Sequence, residues 1–249
     1  MNHQRTETKT QFSIAQNDAF CLQTSFKTQF PRSSSLSGSQ DDNCEDLSSP
    51  FAKASAAFEA AHGEDPRTIT VGNNTQLPYS VHYHRRMAHW LDQLAPHDAP
   101  EAVKLAVRCQ HIRRWTRPRS DYPKGLAAYK KWRSDLQIFH AQQAAEILLA
   151  SGYSPEVADR VGELLRKRNL ESDPDVQLLE DVICVVFLEN EYTAFIEQEQ
   201  YDDDKLVDIV QKTWKKMTPR GHTAALKLAG QLTERGLRVV ERALEGWYG

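Results

Sequence analysis

The sequence predicts an all-α fold: a single compact helical domain over residues 51–249, preceded by a disordered low-complexity tail at residues 1–50. Three observations predict it. From Phe51 onward apolar residues recur at helical spacing, so each stretch hides one face of a helix. These stretches are punctuated by Ser-Pro or Asp-Pro at their starts and Gly or Pro at their ends. No run of period two stands out, and no internal repeat is visible. The tail is different in kind. It is rich in Ser, Gln, Thr, Asn and Asp, ends in SSSLSGSQDDNCEDLSSP, and holds too few apolar residues to offset its ordering entropy.

Each element has its own local reason. Ser49 and Pro50 give FAKASAAFEAAH an N-cap and a first-turn proline, and His62-Gly63 stops it. The turn-rich GEDPRTITVGNNTQLP reads as a connecting loop. The next helix sets Tyr83, Met87, Trp90, Leu91 and Leu94 on one side, and Pro96 ends it. Glu101 to Trp115 reads as one helix, with Val103, Leu105, Ala106, Cys109 and Ile112 toward a core. TRPRSDYPKG is a proline-broken loop, and Ala127 to Ala150 is a long helix closed by Ser151-Gly152. Ser154-Pro155 opens another. Asp173-Pro174 opens a helix running through VQLLEDVICVVFLENEYTAFIEQ, whose VICVVFL segment is apolar on every face and marks the central buried helix. Asp202 to Met217 and a C-terminal pair of helices complete the chain.

Composition excludes several classes. With 31 Lys+Arg against 34 Asp+Glu the net charge is −3, so no global positive field recommends duplex nucleic acid or an anionic membrane as partner. No run reaches the roughly 18 apolar residues of a spanning helix. The start, MNHQRTETKTQFSIAQ, has no apolar signal core. Cys21, Cys44, Cys109 and Cys184 show neither CxxC spacing nor the density of a disulfide scaffold. The expectation is a reduced, soluble, cytoplasmic protein whose oligomeric state the sequence leaves open.

Chemistry concentrates in two patterns. The first is His111, His140 and the pair Glu180-Asp181, each on its own expected helix. Imidazole and carboxylate projecting inward from different helices are the parts of a metal site in a helical bundle. The plainer reading is a set of hydrogen-bonded core histidines with a carboxylate pair that caps a helix or meets an arginine. The second pattern is cationic and aromatic: RCQHIRRWTRPRSDYP, GLAAYKKWR, LLRKRN and KTWKKMTPRG. Arg113 and Arg114 directly follow His111, Arg117 and Arg119 stand in a proline-fixed loop, and Trp115 and Lys167 lie in the same set. Guanidinium forks beside a histidine suit a phosphate or carboxylate, although charge runs also form plain solvated faces. Lys216-Met217-Thr218 is superficially similar to the KMSKS loop of class I tRNA synthetases, without its companion motif. No Walker loop, GxGxxG, GxSxG or HExxH occurs.

The segments RRMAHWL, RCQHIRRWTRPRSDYP, GLAAYKKWRSDL, FHAQQAAEIL, QLLEDVICVVFLE and KTWKKMTPRG resemble the family catalogued as domain of unknown function 4202, which brings no established activity. The order of helices also resembles, more remotely, the HD superfamily of metal-dependent phosphohydrolases. That likeness implies an HD-like orthogonal helix arrangement. QHI (Gln110 to Ile112) would stand at its His-Asp doublet, His140 at a downstream His and Asp181 at the closing Asp. Ile112 replaces the doublet's aspartate, and the first His falls near Tyr83 with His82 or His84 only adjacent.

Two functional readings follow. In the first, His111, His140, Asp181 and His84 hold a divalent ion (Mn, Mg, Fe or Zn), Asp181 and Glu180 act in catalysis, and Arg113, Arg114, Arg117, Arg119, Trp115 and Lys167 hold a small phosphorylated or nucleotide substrate. In the second, the degenerate motif leaves a non-catalytic helical module that recognises a small anion or a protein partner through an Arg/Trp cleft.

Overall fold

The computed structural model describes residues 48–72, 74–198 and 201–247, so the expected tail lies outside the described residues except for its last three. Helix α1, Pro50–Gly63, starts where the sequence says it should: Ser49 Oγ accepts the Ala52 N–H at 3.2 Å, and Pro50 opens the first turn. The following passage is not an irregular loop. It contains an antiparallel hairpin, β1 (Thr68–Val71) paired with β2 (Thr75–Pro78), with Ile69 opposite Leu77. The β-branched run TITV favours extended backbone, and Gly72 and Asn74, both at positive φ, turn the chain back.

Helix α2, Tyr79–Leu94, buries Tyr83, Met87, Trp90, Leu91 and Leu94 as its spacing requires. Helix α3 runs only from Glu101 to Cys109, shorter than the expected Glu101–Trp115. Gln110–Arg113 forms a turn, Arg113 adopts a left-handed conformation (φ 50°), and a 3-10 turn follows at Arg114–Thr116. His111 therefore sits in a turn and does not share a helical face with Arg108 and Trp115. Helix α4, Leu126–Ala150, lies along α5, Pro155–Leu165. Helix α6, Pro174–Asn190, starts with Asp173 accepting the Asp175 N–H at 3.0 Å.

The core gathers around α6, where Val182, Cys184, Val185 and Val186 have no exposed surface and α2, α3 and α9 (Pro219–Leu226) pack alongside. The helix stops at Glu191, earlier than the sequence pattern suggests, and the short α7, Tyr192–Ile196, sets off in a new turn. Phe187, Tyr192, Phe195 and Ile196 then seed a second, smaller apolar cluster with Leu206, Ile209 and Val239 from the paired helices α8 (Asp203–Trp214) and α10 (Glu234–Leu244). Among the described residues no helix is long and apolar enough to cross a membrane.

Candidate functional site

One face of α6 floors a cavity of about 220 Å³. Glu180, Ile183, Phe187 and Glu191 fall at i, i+3, i+7 and i+11, so a single helical stripe presents all four to the space above it. The stripe is carboxylate at each end and apolar between. Its two carboxylates live in opposite surroundings.

Glu180 is 1% exposed and meets Lys167 Nζ at 2.6 Å and Lys216 Nζ at 3.5 Å. Burial alone would raise its pKa, but the two ammonium groups override that and hold it at about 2. The backbone assists. Lys167 follows the C-terminus of α5 in a left-handed conformation, φ 52°, a position usually left to glycine. A lysine held there costs backbone energy that its contact with the buried carboxylate offsets. Arg133 from α4 and Arg166 from the end of α5 line the same cavity, and neither is paired with a carboxylate among the described residues. Arg166 Nε is buried with no hydrogen-bond partner among the described residues. Burial lowers the pKa of Lys216, an effect opposed by Glu180.

At the other end of the stripe, Glu191 accepts a hydrogen bond from Tyr79 Oη at 2.7 Å and is itself buried. Burial raises its carboxyl pKa to about 7, against the pull of Tyr79, Arg114 and Arg67. Tyr83, which feels the Glu191 charge, leads on to the His111 and His140 rings of the same cavity, with centroids 5.5 Å and then 5.7 Å apart. Burial first, and then the nearby Arg114 charge, push both histidines well below pKa 6.5, so they are neutral rings. The left-handed Arg113 reverses the chain and turns Arg114, 6% exposed, inward beside them, where its guanidinium lies 5.0 Å from the centre of the Trp132 ring.

The expected metal ligands do not make one centre. His111 and His140 are neighbours, but both ring nitrogens of His84 are engaged: Nδ1 donates to Ser80 O at 2.7 Å and Nε2 accepts the His111 backbone N–H at 3.3 Å. His84 is thus a buttress that fixes His111, and the His62 ring stacks on it at 3.7 Å. Asp181, about 100° round α6 from Glu180, points to a different face. Its Oδ1 accepts the Thr218 N–H at 2.8 Å and its Oδ2 the Thr218 hydroxyl at 2.5 Å, anchoring the start of α9. Among the described residues no three His, Cys, Asp or Glu side chains group as ligands for a metal ion. The residues present therefore do not fit the divalent centre that the HD-like resemblance implies.

The arginine set divides in the same way. Arg114 and Lys167 face the cavity. Arg113 instead bridges Glu64 at 2.9 Å and Gln143 at 2.9 Å. Arg119 donates to the Tyr122 and Pro123 carbonyls, at 2.8 Å each, and so ties its own loop. Arg117 covers the Phe139 ring at 4.7 Å, and Trp115 is half-buried in the 3-10 turn without lining the cavity. Sequence reasoning missed Glu191, and it held Arg133 and Arg166 in the cationic segments GLAAYKKWR and LLRKRN without singling them out as site residues. The stripe Glu180-Ile183-Phe187-Glu191 was a readable signal for Glu191. The two arginines converge only through tertiary packing.

A family model described as Domain of unknown function (DUF4202) matches residues 52–240. No curated protein and no solved structure matches the chain.

Proposed function

The chain belongs to the family described as Domain of unknown function (DUF4202), and from the chemistry of its cavity we propose that it binds a small phosphorylated ligand there. One observation carries the proposal: among the described residues five cationic side chains (Arg114, Arg133, Arg166, Lys167 and Lys216) line a cavity whose lining includes two carboxylates, Glu180 and Glu191, and neither Arg133 nor Arg166 is paired with a carboxylate. Five positive charges against two carboxylates leave a surplus of three, and protonating Glu191 raises it to four. The chain as a whole is at −3, so the surplus is local. Arg133 and Arg166, without a carboxylate partner among the described residues, are the charges in this half-closed space that an anion would share. A phosphate monoester, at about −1.5 to −2 near neutral pH with three acceptor oxygens, matches that demand better than a single carboxylate.

Metal-dependent hydrolysis draws no support from the donor set, because His84 and Asp181 are committed to other contacts. Recognition asks for no more than the cations supply. Isothermal titration of the full chain with inorganic phosphate tests the proposal. One saturable site is expected, weakened at least about tenfold, or about 1.4 kcal/mol, by Arg166→Ala or Lys167→Ala. Arg119→Ala, in the exposed loop, leaves the affinity as it is. Absence of binding, or equal weakening by Arg119→Ala, would overturn the proposal.

A further inference from the structure

An inorganic anion would leave part of this cavity unused. Gln110 and His140 are each 4% exposed and both line it. Gln110 Oε1 and His140 Nε2 are buried and meet no hydrogen-bond partner among the described residues. Buried polar atoms are nearly always bonded, and an orphan costs about 1–3 kcal/mol. Two of them lining one cavity call for a ligand that brings hydrogen-bonding groups of its own.

The charge distribution says what kind. Lys167 and Lys216 meet Glu180, and Arg133 and Arg166 line the same cavity with no carboxylate partner among the described residues. Near the histidines Arg114 is the leading cation, with Lys167 a weaker influence on His111, the rings are neutral, and Glu191 holds its proton up to near neutrality. A second phosphate has too few partners there. A hydroxyl fits, since it donates to an amide oxygen and either donates to or accepts from an imidazole nitrogen. Between the poles Ile183 and Phe187 offer an apolar surface suited to the C–H face of a carbon skeleton. At 1.5 Å per residue, Glu180 lies about 15 Å along α6 from the last helical residue, Asn190, which Glu191 follows. The cavity, about 220 Å³, lies below the roughly 300 Å³ at which pockets for drug-sized ligands begin.

We infer, resting on the anion-binding reading above, that the ligand is the phosphate monoester of a small polyhydroxy compound. Its phosphoryl group sits with Arg133, Arg166, Lys167 and Lys216, and its hydroxyls satisfy Gln110 and His140. The probes are ribose 5-phosphate, inorganic phosphate, ribose and adenosine monophosphate, titrated into the full chain at equal ionic strength. Ribose 5-phosphate should bind at least about tenfold more tightly than inorganic phosphate, the return on about one satisfied buried group. Ribose alone should show no saturable binding. Gln110→Met should bring the ratio of the two phosphate constants to within about twofold, and His140→Phe gives the same readout should that variant fail to fold. A ratio near one in the unaltered chain, a ratio that survives both substitutions, or tighter binding of adenosine monophosphate than of ribose 5-phosphate overturns the inference while leaving anion binding in place. If inorganic phosphate itself does not bind, the anion reading fails first.

Discussion

Glu180 and Asp181 are adjacent in sequence and, about 100° apart, serve different faces of one helix. Glu180 looks into the cavity, where two lysines keep its pKa at about 2. Asp181 looks away, and burial raises its pKa despite the Thr218 contacts that favour the charged form. One face of α6 is arranged around fixed charge, and the other around closing a helix end. A buried carboxylate doublet is therefore not by itself a catalytic pair. Which neighbours converge on each oxygen decides its role.

Breaking the cavity face should have the largest effect. Glu180→Ala strands Lys167 and Lys216 without their shared partner, and a loss of about 3–5 kcal/mol is expected in denaturant unfolding. Phosphate in the buffer should return part of it, because the anion takes over the neutralising charge. Unfolding that is indifferent to both the substitution and phosphate would show that the lysines are solvated and the surplus imaginary.

A second contrast lies within the cavity stripe itself. Glu180 has its pKa depressed from 4.5 to about 2, so its stabilising contribution is fully present above pH 4.5 and is lost as pH falls toward 2. Glu191 has its pKa raised from 4.5 to about 7. The folded protein therefore holds a proton that the unfolded chain releases, and stability falls as pH climbs from 4.5 through 7. Glu191→Gln should remove that decline and gain roughly 3 kcal/mol at pH 8 relative to pH 4, read from chemical unfolding at the two pH values. A parallel shift of both curves would mean that Glu191 is ionised throughout.

The Asp181 face should respond more mildly and without touching ligand affinity. Asp181→Ala removes both Thr218 contacts and should cost about 1–3 kcal/mol. Gly221→Ala probes the same contact from the other side: a Cβ there would lie 2.6 Å from Asp181 Oδ1, and overpacking of about 1–3 kcal/mol is expected. Thermal unfolding and phosphate titration of each variant separate the two faces. Loss of phosphate binding in Asp181→Ala at unchanged fold would merge them.

Much of the fold was legible because helix ends are local chemistry. Ser49-Pro50, Ser154-Pro155 and Asp173-Pro174 each start a helix where the sequence placed one, and Gly63 and Gly152 mark ends. The hairpin was missed because four residues per strand carry too short a pattern to outweigh Gly72 and its neighbours. The Glu101–Trp115 helix was overextended because an apolar period runs on through Ile112 while Arg113 takes a positive φ that nothing in the local sequence demands. In the site, His111, His140, Arg114, Lys167 and Glu180 were read as chemistry and do meet at one cavity. Arg133, Arg166 and Lys216 arrive from three different elements, and one-dimensional spacing does not encode such a meeting. All three lay in cationic segments that the sequence reading named, Lys216 in KTWKKMTPRG, but their convergence was not readable there.

The most direct measurement is the anomalous difference map of a crystal soaked in tungstate, a heavy tetrahedral dianion in place of phosphate. A peak is expected inside the cavity, within bonding reach of Arg166 and Lys167 and above the Glu180–Ile183 turn of α6. A peak confined to the exposed Arg117–Arg119 loop, or a cavity left empty at saturating tungstate, would contradict it.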